Sequence, residues 1–153
     1  MVKDYSNGKI YKIASKDTNK IYIGSTTASL NSRMYRHRQD YCLYLNSLGA
    51  KIYSFELFDE VGIDKCYIEL ICDYPCDNSH ELALEEGRHQ LLNLYNIVNK
   101  NIAGRTGKQY YIDNKEIILN KKREYYKNHS QTRKAYQNKY NLRKKEESKS
   151  IIS

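Results

Sequence analysis

The stretch Lys9-Ile10-Tyr11-Lys12-Ile13-Ala14-Ser15-Lys16-Asp17-Thr18-Asn19-Lys20-Ile21-Tyr22-Ile23-Gly24 decides how the rest of the chain is read. Residues 9–14 and 20–24 are short runs rich in Ile and Tyr, side chains that suit a pleated, half-buried surface. Between them Ser15, Lys16, Asp17, Thr18 and Asn19 form a turn-prone stretch, whose hydroxyls and amides bond their own backbone. The pattern predicts a β-hairpin.

Working outward, Ser25, Thr26, Thr27 and Ser29 offer N-caps, and Leu30, Met34, His37, Tyr41, Leu45 and Leu48 recur at three-and-four spacing. That spacing predicts an amphipathic helix, with Gly49 as its stop. Residues 53–61 fit either a short helix or an irregular segment. Cys66, Ile68, Leu70 and Cys72 alternate with Tyr67, Glu69 and Ile71, which predicts a strand with one fully apolar face. Asn78, Ser79 and Glu81 read as a capped helix start, followed by Leu84, Gly87, Leu91, Leu94, Tyr95 and Val98 on one stripe. Strand, strand, helix, strand, helix makes a small α+β domain over residues 1–103.

Around residues 104–107 the apolar periodicity fades and Lys, Asn and Tyr take over. A chain of 153 residues holds one ordinary domain, so residues 104–153 read as an appendage. It carries a weak repeat: Tyr110-Tyr111 before Asn114-Lys115, Tyr125-Tyr126 before Asn128-His129, Tyr136 before Asn138-Lys139. Lacking Pro and Gly after Gly107, it is predicted helical but marginal alone, or partly disordered until it meets a partner. The formal charge of +8 is concentrated there. Lys108, Lys121, Lys122, Arg123, Lys127, Arg133, Lys134, Lys139, Arg143, Lys144 and Lys145, with Arg105, Lys115 and Lys149, face only Asp113, Glu116, Glu124, Glu146 and Glu147. A block of that sign points to a polyanion, nucleic acid before membrane surface.

Cys42, Cys66, Cys72 and Cys76 lack the paired spacing of a zinc site, and no signal peptide precedes them, so reduced thiols in an intracellular protein, cytoplasmic or nuclear, are expected. Cys72, Cys76 and His80 recur at even intervals, but Pro75 and Asp77 interrupt any regular element, which argues against a metal there. No apolar run reaches the length of a membrane span. Trp is absent and Tyr occurs sixteen times, so most aromatic area carries a hydroxyl and suits half-wet surfaces as well as cores.

Ile10-Tyr11 on the first strand and Tyr22-Ile23-Gly24 on the second resemble the paired motifs that name the GIY-YIG nuclease superfamily. Here the leading Gly of the first motif is Lys9, with Gly8 one place earlier. The resemblance continues through Arg33 and His37 on the first helix, Glu86 within Glu85-Glu86-Gly87-Arg88, and Asn99 after Val98. It covers nearly all of the first hundred residues, and implies a three-stranded antiparallel sheet flanked by helices. Basic tails also occur in relatives from large DNA viruses and mobile elements.

The activity so implied is hydrolysis of a DNA phosphodiester, in duplex or branched DNA, with one divalent cation, Mg2+ or Mn2+. Such a reaction needs a positioned water, a base beside it and positive charge opposite. By resemblance Tyr11 activates or orients the water, and Arg33 grips the phosphate with its planar fork. Tyr22 helps hold the water or phosphate, and is equally readable as a strand tyrosine packed on the sheet. His37 relays a proton or binds phosphate; its place on the apolar stripe equally suits a buried structural histidine. Glu86 is the metal ligand that the Glu-Gly-x-His spacing favours, although helical periodicity does not choose between it and Glu85. Asn99 positions the cleft or a phosphate, or caps its own helix. The tail residues 108–145 would neutralise DNA phosphates without reading sequence. The competing class is a catalytically inactive DNA-binding module acting through the tail, to which the Lys9 replacement points. A basic RNA or membrane-surface binder has charge alone behind it. Nothing in the sequence demands an oligomer, and a monomer is compatible with it.

Overall fold

The computed structural model describes residues 3–150, with side chains to Lys145. The side chains of Glu146, Glu147 and Lys149 therefore lie outside the described residues. By internal contacts the chain forms two compact units, one up to Arg105 and one from Thr106 onward.

The first unit opens with the hairpin, β1 (Lys9–Ser15) and β2 (Thr18–Thr26), paired antiparallel with Ser15 opposite Thr18. The turn is thus only Lys16-Asp17, tighter than the five-residue stretch expected. Ser15 Oγ accepts from Asp17 N and Thr18 Oγ1 accepts from Lys20 N, so the polar residues begin and end strands while bonding locally. β3 (Cys66–Asp73) pairs antiparallel with the other side of β1, giving the order β2-β1-β3. The fold is α+β with a three-stranded antiparallel sheet, as the sequence implied.

Strand alternation sends β1 side chains to opposite faces. Tyr11 and Ile13 pack with Met34 of α1 (Leu30–Leu45) and with Phe55, Leu57 and Phe58 of α2 (Phe55–Val61). Ile10 and Ile23 pack with Leu82 of α3 (Ser79–Leu92) on the other face. The ambiguous stretch 53–61 is therefore a helix, and it supplies much of the core. Its two phenylalanines and Leu57 are buried because a seven-residue helix can turn most of its apolar surface inward when it lies flat on the sheet.

Three local expectations are corrected. Ser29 caps α1 by accepting from Ser32 N, but the helix stops at Leu45, and Leu45 and Leu48 are exposed. The apolar face of β3 is incomplete: Leu70 is exposed at the sheet edge, where the β1 pairing shifts between Ile10 and Tyr11. Of the stripe expected on α3, which ends at Leu92, Gly87 is buried as expected and Val98 is buried beyond the helix, but Leu84, Leu91, Leu94 and Tyr95 are exposed, while Leu82 and Gln90 join the buried side. The reason is a close approach: a Cβ on Gly87 would meet the Ala103 carbonyl, so the chain returning at residues 102–103 rotates this face of α3 inward.

The second unit is α4 (Gly107–Asp113), α5 (Lys115–Asn128) and α6 (Ser130–Ser150). Among its described residues none is buried. The eleven cations from Lys108 to Lys145 expected to meet DNA are exposed on these helices, as is Lys115. Tyr125 stacks on His129 at 4.2 Å, and the Arg133 guanidinium lies 4.4 Å from the Tyr126 ring centre, so local ring contacts support the helices in place of a core.

Candidate active site

Tyr11 sits in the central strand opposite Gly24, and its ring fills the space that a side chain at Gly24 would take. A Cβ there would lie 2.6 Å from the Tyr11 hydroxyl and 3.0 Å from the Tyr22 ring. This is the physical reason for a glycine after Tyr22-Ile23: the two phenols and a third side chain cannot share that face.

Around the Tyr11 hydroxyl two side chains converge, Arg33 and His37. Arg33 Nε donates to it at 2.7 Å, and His37 Nε2 stands 2.8 Å away. His37 Nδ1 is 3.1 Å from Ser54 Oγ, just before α2. The Tyr22 ring meets the His37 ring edge-on at 5.5 Å. Arg33 and His37 lie four apart on α1, which places both over the same strand pair.

Burial sets the protonation of this cluster. Tyr11 is 0% exposed, and burial first, then the neighbouring Tyr22, pushes its phenol well above the ordinary value against the pull of Arg33. Tyr22 is raised too, by burial and by Glu86. His37 is driven down to about 3 by burial and by the Arg33 charge, so it is neutral at physiological pH. A neutral phenol that accepts from Arg33 has its proton left for His37 Nε2, which puts the His37 proton on Nδ1, facing Ser54. Arg33 keeps its charge: burial opposes it, but Tyr11, Tyr22 and Asp40 more than compensate.

Glu86 comes from α3 on the opposite face and reaches the strand end at Ser25. Its carboxylate accepts from Ser25 Oγ at 2.6 Å and from Gln90 Nε2 at 3.0 Å. Burial raises its pKa, while Ser25 and the Arg33 charge pull the other way. Glu85, its neighbour, turns instead toward Arg88 and His89. Of the two carboxylates it is Glu86 that shares an electrostatic environment with Arg33 and Tyr22.

Asn99 does not cap α3, which ends at Leu92. It brackets one residue of β2, accepting from Ile23 N at 2.9 Å and donating to Ile23 O at 2.8 Å. With Ile21 N to Asn96 O and Val98 N to Ile21 O, it covers the outer edge of β2.

A cleft of about 450 Å3 opens beside the cluster, lined by Arg33, Arg36, Lys3, Ser25, Thr26 and Ser32 among others. Larger hollows lie along α5 and α6. The smaller cleft is the chemically relevant one, because it joins Arg33 to the Ser25 hydroxyl that holds Glu86. Of the candidate catalytic residues read from the sequence, Arg33 lines it.

Three site residues escaped the sequence reading. Gln90 is buried and ties Glu86, the Ile23 carbonyl and Ala103 N together. Its signal was its place one turn after Glu86 on the same helix face. Ser25 directly follows Gly24, and alternation from Ile23 would have put it on the α3 face. Ser54 had no sequence signal, since its contact with His37 exists only once α2 is folded against α1.

A buried tyrosine under an arginine, with a carboxylate held at the adjoining strand end, belongs to a domain of nuclease type. The GIY-YIG catalytic domain model matches residues 7–85, half of the chain, and the chain belongs to that family. The match ends immediately before Glu86. No curated protein and no solved structure gave a match. A nuclease-type function and a nucleic-acid substrate follow from the family.

Proposed function

We propose that the chain is a DNA endonuclease that hydrolyses a backbone phosphodiester with one divalent cation, Mg2+ or Mn2+. The unit up to Arg105 does the chemistry, and the helices from Thr106 onward bind DNA phosphates. The observation that carries the reading is the bond from Arg33 to the Tyr11 hydroxyl at the edge of a cleft lined by Arg33, Arg36 and Lys3.

The donor set around Glu86 fits such an ion. Glu86 offers one half-buried carboxylate, steadied by Ser25 and Gln90, and Mg2+ often needs no more than one or two carboxylates beside water and phosphate. Burial that disfavours the bare carboxylate is relieved by a cation. The chemistry the ion supplies when bound is neutralisation of charge on the phosphate and leaving oxygens.

The protein groups act as follows. In the resting arrangement Arg33 covers the Tyr11 oxygen, which no solvent reaches. Arg33 moves from the phenol to the phosphate, where its fork matches two oxygens. That exchange exposes a lone pair of Tyr11 to the attacking water. It also removes one of the two influences that keep His37 from accepting a proton. As the water attacks, its proton passes to the Tyr11 oxygen and the phenol proton passes to His37 Nε2, with Ser54 holding the far side of the imidazole. Tyr22 walls the site beside Glu86 and Arg33.

Full burial of Tyr11 is also what a catalytically inactive DNA-binding module would show, so this second reading is kept. Incubation of supercoiled plasmid with Mg2+ separates them: nicked or linear product that disappears in Glu86→Ala supports the nuclease. A gel shift in EDTA with no cleavage on adding metal supports the binding module.

A further inference from the structure

We propose that Cys72, Glu85 and His89 form a second metal site, one that takes a borderline-soft transition-metal ion, Zn2+ in the first instance, and staples α3 to β3. Cys72 is at the end of β3, and Glu85 and His89 are one turn apart on α3. Their ligand atoms converge: Cys72 Sγ is 3.6 Å from His89 Nε2, His89 Nε2 is 3.2 Å from Glu85 Oε1, and all three lie within 4.8 Å of one another.

The first two of these separations match edges of a zinc tetrahedron. With Zn–S of about 2.3 Å, Zn–N of about 2.0–2.1 Å and Zn–O of about 2.0–2.2 Å, tetrahedral angles give S···N near 3.6 Å and N···O near 3.3 Å. A thiolate, an imidazole and a carboxylate also suit zinc better than Mg2+, which prefers oxygen alone. All three residues are half-buried, so the fourth position is left for water. Binding releases the thiol proton to solvent as the Zn–S bond forms, so no oxidant or further reactant is needed. Arg88 bonds both Glu85 oxygens from the outside and holds the carboxylate's orientation, the supporting role common around metal ligands.

The site is separate from Glu86. Glu85 faces β3 and Glu86 faces β2, so one pair of adjacent carboxylates serves two purposes on two sides of a helix. α3 packs mainly on β2 and β1. A metal bridge to Cys72 would anchor it on its remaining side and so steady Glu86. Cys76 and His80 do not join, because Cys76 bonds the Tyr5 and Asn78 carbonyls and His80 is exposed.

The test uses the full, tag-free chain, titrated with Co2+ and then Zn2+. Co2+ should give a thiolate-to-cobalt charge-transfer band and tetrahedral visible bands, both abolished by one equivalent of Zn2+. Cys72→Ser should remove the charge-transfer band and weaken Zn2+ binding at least about a hundredfold, and His89→Gln should weaken it at least about tenfold. Cys76→Ser should bind Zn2+ as the parent chain does. Absence of a thiolate band in the parent chain overturns the proposal, whatever the variants do. Its persistence in Cys72→Ser would place the metal elsewhere and overturn it equally. Because the readout is optical, neither result bears on whether Glu86 supports cleavage.

Discussion

Glu86 carries a charge where burial disfavours it, and its two hydrogen bonds only partly compensate. Its folded pKa lies above the ordinary 4.5, so the fold favours the protonated form. That contribution is fully present below the unfolded value and is lost as pH rises through the folded one. At neutral pH the ionised carboxylate therefore costs stability. In Glu86→Gln the oxygen can keep Gln90 Nε2, and the new amide can donate to Ser25 Oγ, since a hydroxyl turns round. The variant should lose cleavage by at least about a hundredfold and, without metal, gain about 1 kcal/mol at pH 7. Activity assays and metal-free thermal melts check this, and a large loss of stability would contradict it. His37 runs the other way. Its folded pKa of about 3 is far below the ordinary 6.5, so its stabilising neutral form is fully present above pH 6.5 and is lost as pH falls toward 3. Between those values the linkage slope approaches about 1.4 kcal/mol per pH unit for one group. Urea titrations from pH 7 to 5 should show that slope in the parent chain and a shallower one in His37→Gln; equal slopes would sink the assignment.

Strand β2 is held at its outer edge by residues 96–99, and Asn99 is the one side chain among them that bonds both the N–H and the C=O of Ile23. Ile23 lies between Tyr22 and Gly24, so fraying there loosens the seat of both phenols. Asn99→Ala leaves two backbone groups with no partner from that side chain and should cost about 1–3 kcal/mol. Chemical denaturation measures the loss, and cleavage at low temperature should fall only in proportion to the unfolded fraction. A variant as stable as the parent but inactive would instead give Asn99 a direct part in the chemistry. The elements differed in how readily they could be read. The hairpin and the α1 start were legible because turn and cap residues act through their own backbone. The buried face of α3 was only partly so: Leu84 and Leu91 point outward, while Leu82 and Gln90 join Gly87 inside, since the chain at Ala103 approaches Gly87 more closely than any side chain would allow.

The whole molecule pairs a sheet domain that holds a cleft beside Arg33 with helices bearing exposed cations and, among the described residues, no core. Affinity carried by such cations falls with salt at a slope of about 0.9 per phosphate neutralised on duplex DNA. Replacing Lys121, Lys122 and Arg123 by Gln should lower the slope of log K against log salt by up to about 2.7 and weaken binding at 0.15 M salt, without changing which sequences are bound. Fluorescence anisotropy across a salt series measures it; an unchanged slope would remove the tail from the DNA interface. Sequencing the ends released from mixed duplex, flap and four-way junction substrates then identifies the cleaved form.

The sequence by itself determined the family, the α+β sheet, the charged tail and the identities of Tyr11, Arg33 and Glu86 as candidates, because backbone pattern and motif order are local properties of a chain. Tertiary structure alone decided that Arg33 covers Tyr11, that Ser25 and Gln90 hold Glu86 while Glu85 turns away, and that Asn99 bonds a strand. Each of those depends on which groups lose water together. Burial at a shared point is set by residues distant in sequence, as Ser54 beside His37 and Ala103 against Gly87 demonstrate.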